Sequence, residues 1–178
     1  MIDTTFEPLI AAHDFVSSRL IYFFNNDEFH EVSFVMNEFE VFAIFIVTIA
    51  FIQDNEEVEE SATLLEEFHK NIVARIVARI AHAQPDTVSK EQEEALEEKI
   101  LAIFQERLRL YFNLFKEQES KKQDIFLPLS ETFIDNGIQN NDDASVCSRF
   151  APFVDELFVE TVTLLKKSFE LKGLVLNS

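Results

Sequence analysis

Glu66 and His69 have the spacing of a metal-binding pair on a helix. A Glu-x-x-His pair places both side chains on one helix face, and di-iron bundles combine two such pairs with a glutamate from each of two further helices. The sequence EEFH supplies one pair, and Asp27-x-x-His30 is its nearest counterpart. No second Glu-x-x-His pair exists, and four histidines are too few for a histidine-rich di-iron pocket with supporting ligands. A mononuclear site formed by Glu66, His69 and Glu40 is the metal hypothesis that remains.

The same residues also have an interpretation without a metal. Glu66 lies four residues before Lys70, a spacing at which opposite charges attract on a helix surface. His69 would then be a partly exposed histidine beside surface acids. We favour this interpretation and expect no bound cofactor.

Common nucleotide and hydrolase motifs are missing from the sequence. Dinucleotide and P-loop sites need clustered glycines because the backbone must approach phosphate closely, and this chain has two glycines, Gly137 and Gly173. G-x-S-x-G and H-E-x-x-H motifs are also missing. A single cysteine, Cys147, can form neither a cysteine zinc site nor an internal disulfide, and it is typical of a reducing compartment. We therefore expect a cytoplasmic protein that is not an enzyme.

The charge of the chain is strongly negative and uneven. The formal net charge is −18 over 178 residues. Residues 1–69 contain fifteen acids and one base, Arg19. Phosphate backbones and anionic membranes carry the same sign of charge, so nucleic-acid and membrane binding are disfavoured. A basic protein is the partner that this charge would attract.

Two groups of charged residues are candidates for contact with a partner, and the acidic one would attract a basic protein. The acidic group belongs to the first third of the chain and comprises Glu28, Glu31, Glu38, Asp54, Glu56, Glu57, Glu59 and Glu60. The basic group is Arg75 and Arg79, which share one face of a predicted helix. These arginines either pair with acids of the first third or bind an anion.

The most apolar segment, VFAIFIVTIAFI, runs from Val41 to Ile52 and has eleven apolar side chains in twelve. As a helix it covers about 18 Å, against about 30 Å for the hydrocarbon core of a membrane. Acids lie on both sides of it, including Glu40 and Asp54. The segment therefore predicts a helix that is buried in a protein core, apolar on all sides.

The small number of turn residues and the helical spacing of the apolar residues predict the fold class. The chain has two glycines and four prolines, far fewer than sheets and their turns require. The sequence predicts an all-α, single-domain bundle of five to six helices over residues 1–178. One buried central helix is expected at about 28–53 and one long helix at about 89–118. Ser89 and Gln92 have the spacing of a capping box at the start of the long helix.

Twenty phenylalanines leave two functional interpretations open. If their rings pack together as a core, the sequence predicts a non-enzymatic acidic bundle that acts through protein–protein contacts, of regulatory, adaptor or neutralising type. The alternative is a ligand-binding or sensory bundle with a Phe-lined apolar pocket between helices 2, 3 and the last one. A long helix that overhangs the shorter ones could also pair with a copy of itself in a homodimer.

Overall fold

Six helices make up the computed structural model, which describes residues 6–25, 33–34, 36–53, 59–82, 89–139 and 145–171. The helices are α1 (Glu7–Asn25), α2 (Met36–Ile52), α3 (Glu59–His82), α4 (Lys90–Lys121), α5 (Phe126–Gly137) and α6 (Ser145–Leu171). The predicted all-α bundle is confirmed. Two strands of two residues each, β1 (Ser33–Phe34) and β2 (Ile138–Gln139), pair in antiparallel fashion beside the helices.

α2 is the central helix of the bundle. Every side chain from Glu38 to Phe51 is buried, and the other five helices all pack against α2. Because neighbours cover every side, α2 has no need of a polar face, and each large apolar side chain it buries stabilises the fold by about 1.5–3 kcal/mol. The predicted buried central helix is confirmed. None of the helices in the described ranges combines the length and apolar character that a membrane span requires.

The start of α2 differs from the prediction. The helix was expected from about residue 28, but it begins at Met36, and Ser33 and Phe34 instead pair with Gln139 and Ile138. The spacing of apolar residues before Met36 fits a helix. However, backbone groups of Ser33 and Phe34 bond to the chain that leaves α5, which satisfies them outside a helix. Residues 28–32 lie outside the described residues.

Phenylalanine rings from α1, α2, α5 and α6 meet in the core. The ring centroid of Phe42 lies 4.6 Å from that of Phe133, which lies 5.1 Å from that of Phe150. The centroid of Phe24 lies 5.0 Å from that of Phe150. These separations are in the range of favourable aromatic pairs, about 4.5–7 Å. At this place the phenylalanines form a packed aromatic core.

α4 begins at the predicted cap, and its first turns extend beyond the other helices of the bundle. The Gln92 N–H donates to the Ser89 hydroxyl at 3.3 Å, and the Ser89 N–H donates to the Gln92 side chain at 2.8 Å, which completes a capping box. The side chains described between Lys90 and Lys99 are all exposed except that of Leu96, which is half-buried. We call Lys90–Lys99 the α4 overhang. The predicted long helix is confirmed, and its first turns are largely uncovered.

Candidate functional site

Charged side chains from three helices meet in a groove of about 290 Å³ between α1 and α3, with α2 at its floor. We call it the arginine groove. Arg79 Nη2 donates to Glu40 Oε1 at 2.8 Å, and Arg75 Nη1 donates to Asp14 Oδ1 at 3.3 Å. Both acids belong to the first third of the chain. The prediction that the two arginines pair with such acids is confirmed.

His13 lies buried between the two acids of this groove. It is 4% exposed, with Nε2 3.1 Å from Glu40 Oε2 and Nδ1 3.5 Å from Asp14 Oδ1. Neither ring nitrogen is aligned for a directed hydrogen bond, although the distance to Glu40 is short. The contact of His13 with Glu40 is therefore mainly electrostatic.

Glu40 is held in its ionised form. Burial alone would raise the pKa of this carboxyl, but the close approach of His13 and the hydrogen bond and charge of Arg79 outweigh burial and hold the pKa below the ordinary 4.5. Glu40 is thus an internal anion that joins α1, α2 and α3. Its role in the described structure is to pair with these two partners.

The three residues of the metal hypothesis do not converge. Glu66 accepts a hydrogen bond from Lys70 at 2.6 Å on the exposed side of α3, as the alternative interpretation predicted. Glu40 instead bonds to Arg79, ten residues along α3 from His69, which is about 15 Å at the rise of a helix. Within the described ranges no three His, Cys, Asp or Glu side chains are grouped so that they could hold a metal ion.

His69 lies at the polar end of a second cavity, of about 260 Å³, between α2, α3 and α4. We call it the His69 pocket. Apolar side chains form most of its wall, and its lining comprises Ile44, Val73, Leu101, Phe104, Leu108, Glu66, Lys70, Gln105 and His69. This cavity differs from the Phe-lined pocket that the alternative prediction placed between helices 2, 3 and the last one.

One hydrogen bond fixes the tautomer of His69. The Thr48 hydroxyl donates to the Ile44 carbonyl at 2.7 Å, and the same oxygen lies 3.0 Å from His69 Nε2. Because a carbonyl only accepts, the hydroxyl proton lies on that first bond, and Nε2–H is the donor to Thr48. Burial lowers the pKa of His69 to about 4. At neutral pH the ring is therefore uncharged and its Nδ1 is an acceptor.

Sequence reasoning missed Thr48 as the partner of His69, although a signal was present. Thr48 is the single polar residue in the apolar run from Val41 to Ile52. A buried hydroxyl on an otherwise apolar helix needs a hydrogen-bond partner. That rule identifies the position but not the partner, which comes from α3 twenty-one residues later.

Glu38, which was predicted to belong to an acidic partner surface, is buried, so that assignment is wrong. It is 4% exposed, accepts a hydrogen bond from the Tyr111 hydroxyl at 2.5 Å, and lies 3.7 Å from Arg107 Nε. Burial raises the pKa of Glu38, and the opposing effects of Tyr111 and Arg107 are smaller. Burial also raises the pKa of Tyr111. The pair joins α2 to α4 in the interior.

Other residues predicted to contact a partner fall outside the description. Glu56 and Glu57 lie outside the described residues, as do the side chains of Glu59 and Glu60. Exposed acids are instead seen on the α4 overhang, at Glu91, Glu94, Glu97 and Glu98. They form an exposed acidic surface on the described part of the chain.

Comparisons with known proteins identify no relative of this chain. No family model, no curated protein and no solved structure matches it. What the protein does must therefore be argued from its own residues.

Proposed function

We propose that the protein is a non-enzymatic, acidic helical bundle that acts by binding a basic protein, in a regulatory, adaptor or neutralising role. The observation that carries the proposal is the α4 overhang, where four glutamates are exposed on helical turns that the other helices do not cover. The net charge of −18 adds a long-range attraction for a basic partner.

The geometry of the overhang suits such contact. Glu91, Glu94 and Glu98 follow at spacings of three and four, so their carboxylates lie along one side of α4. The capping box fixes the start of the helix before any partner arrives. A preformed helix loses less conformational entropy on binding than a segment that must first fold.

Charged groups elsewhere in the described ranges support binding rather than catalysis. Glu40 is paired with Arg79, and Glu38 is bonded to Tyr111. These polar groups are engaged in contacts between helices of the bundle. The carboxylates of the overhang are exposed instead, where another molecule can reach them, although Glu94 Oε1 lies 3.7 Å from Lys90 Nζ.

The experiment compares two variants that each remove four negative charges. One is Glu91→Gln, Glu94→Gln, Glu97→Gln and Glu98→Gln on the overhang. The control is Glu131→Gln, Asp135→Asn, Asp155→Asn and Glu156→Gln, all exposed on α5 and α6. Each protein is used to capture partners from native lysate at about 0.05 M and about 0.5 M salt, conditions that change electrostatic screening strongly.

The proposal expects a captured basic protein that is lost at high salt. The overhang variant should retain about tenfold less of it than the wild type, whereas the control variant should retain most of it. Equal losses from both variants would mean that total charge, and not the overhang, governs binding. Capture that does not depend on salt would refute the electrostatic surface.

A homodimer is a second candidate, and one stripe of α4 favours it. Leu96, Ile103 and Leu110 follow at intervals of seven, and Ile103 and Leu110 are 38% and 37% exposed. This is the spacing of one position in a coiled-coil heptad. In antiparallel pairing centred on Ile103, the acidic start of α4 would face the segment of the other copy that carries Arg109 and Lys116.

Sedimentation equilibrium tests the homodimer. Ile103→Lys with Leu110→Lys should convert a dimer to a monomer, whereas Leu127→Lys, at a position exposed to the same extent on α5, should leave it intact. A wild-type protein that sediments as a monomer at high concentration would contradict the dimer.

A further inference from the structure

The His69 pocket combines apolar walls with one oriented polar group. Val73, Phe104 and Leu108 are each at most 8% exposed and form part of its wall. Its volume of about 260 Å³ exceeds the roughly 150 Å³ that suffices for an apolar cavity to hold benzene. Pockets that bind small molecules have this composition, in which a mainly apolar lining carries a few placed polar atoms.

The polar atom available in this pocket is His69 Nδ1. Nε2 is engaged with Thr48, and the described part of the chain offers no hydrogen-bond partner to Nδ1. His69 is one of the residues that line the pocket, so its ring lies at the cavity wall. The pocket therefore presents the Nδ1 acceptor on a mainly apolar wall that also carries the Gln105 amide.

We propose that the His69 pocket binds a small phenol, whose ring packs against Val73, Leu101 and Phe104 while its hydroxyl donates to His69 Nδ1. A single aromatic ring fits the volume, and the ring of Phe104 offers it an aromatic neighbour. The hydroxyl supplies the donor that an unprotonated ring nitrogen requires.

The charges around the pocket disfavour anionic ligands. Because burial lowers the pKa of His69 to about 4, the ring has no positive charge at neutral pH with which to hold a carboxylate or phosphate. The charged residues of the lining, Glu66 and Lys70, pair with each other at 2.6 Å on the exposed side of α3. A neutral ligand with one donor group matches this environment best.

The test uses p-cresol and toluene, which differ by one hydroxyl. Each is titrated into the ¹⁵N-labelled protein, and the resonances of the His69 ring nitrogens and the binding curve are recorded. We expect p-cresol to bind saturably, to shift the Nδ1 resonance, and to bind roughly three- to tenfold more tightly than toluene. Absence of saturable binding, or equal affinity for the two compounds, would overturn the proposal.

Three variants assign the binding to this pocket. In His69→Leu, the Thr48 hydroxyl still donates to the Ile44 carbonyl, so the substitution leaves no donor unpaired. The affinity of this variant for p-cresol should fall to its affinity for toluene. Leu101→Trp fills the pocket and should weaken both compounds by about tenfold or more. Leu127→Trp, exposed on α5 and outside the pocket, is the control and should bind like the wild type.

Circular dichroism of each variant establishes that it is folded. If folded Leu101→Trp binds p-cresol as the wild type does, the ligand lies elsewhere and the proposal is wrong. The inference does not depend on the α4 overhang or on a protein partner. Loss of partner capture by the overhang variant and loss of p-cresol binding by His69→Leu are separate outcomes.

Discussion

Acid should weaken the fold through His69. In the unfolded chain the pKa of a histidine is about 6.5, whereas burial lowers the pKa of His69 to about 4 in the folded protein. The folded state therefore binds fewer protons than the unfolded state between these values. The contribution of His69 to stability is fully present above pH ~6.5 and is lost as the pH falls towards ~4.

The magnitude follows from the two pKa values. Each unit of difference corresponds to about 1.4 kcal/mol, so the loss from this one group is about 2 kcal/mol between pH 7 and pH 5 and about 3 kcal/mol by pH 4. The charged neighbours of His69 change this little, because Glu66 and Lys70 are exposed and paired with each other. The polar groups that face it from α2 and α4, Thr48 and Gln105, do not titrate.

Urea denaturation of three proteins at pH 7 and pH 5 measures the effect. His69→Gln keeps an N–H donor for Thr48 but carries no titrating group. His82→Gln changes an exposed histidine on the same helix and serves as the control. The free energy of unfolding of the wild type and of His82→Gln should fall by about 2 kcal/mol more than that of His69→Gln.

Carboxylates that titrate in this range are common to all three proteins, so they cancel in the comparison. If His69→Gln loses as much stability as the wild type between pH 7 and pH 5, then the half-buried ring of His69 is not held neutral in the folded protein. The reasoning about both its stability and its ligand would then be refuted.

Three further changes test the polar interior. Tyr111→Phe removes the hydrogen bond to Glu38 and should lower the free energy of unfolding by about 1.5–3 kcal/mol at pH 7 in urea denaturation. Because the pKa of Glu38 is raised, acid neutralises its carboxylate, so this loss of stability should shrink as the pH falls. A loss that stays constant with pH would contradict this role of Tyr111. Gly137→Ala places a methyl group 3.3 Å from Glu38 Cγ, and the contacts of Glu38 hold that atom in place. Thermal denaturation should therefore show that the free energy of unfolding falls by about 1 kcal/mol or more and does not rise. Arg79→Met removes a partner of Glu40, and carboxyl NMR should show the pKa of Glu40 rise; an unchanged value would mean that His13 alone stabilises the anion.

Features of the fold that depend on local sequence were predictable. The capping box at Ser89 and the apolar run from Val41 to Ile52 are each recognisable from no more than about a dozen consecutive residues. Both predictions are confirmed. The pairing of Ser33 and Phe34 with β2 depends on a segment about a hundred residues away. No local pattern encodes such a partner, which is why α2 was predicted to start too early.

The candidate sites show the same limit. The composition indicated that Arg75 and Arg79 would meet acids, but it could not identify Asp14 and Glu40 as those acids. Whether an acid beside an apolar segment faces solvent or the interior also depends on the neighbouring helices. Glu38 is buried because Tyr111, on α4, supplies a hydroxyl to it.

The order in which the helices leave the ribosome has a consequence for synthesis in the cell. α6 covers α2 from one side, yet 92 residues lie between Ile52 and Ser145 along the chain. At a translation rate of about 5–20 residues per second, the most apolar helix, α2, is synthesised roughly 5–20 s before α6 begins to be made and can pack against it. During that interval it is a target for chaperones, and a chain truncated before α6 should aggregate rather than accumulate as a smaller folded protein.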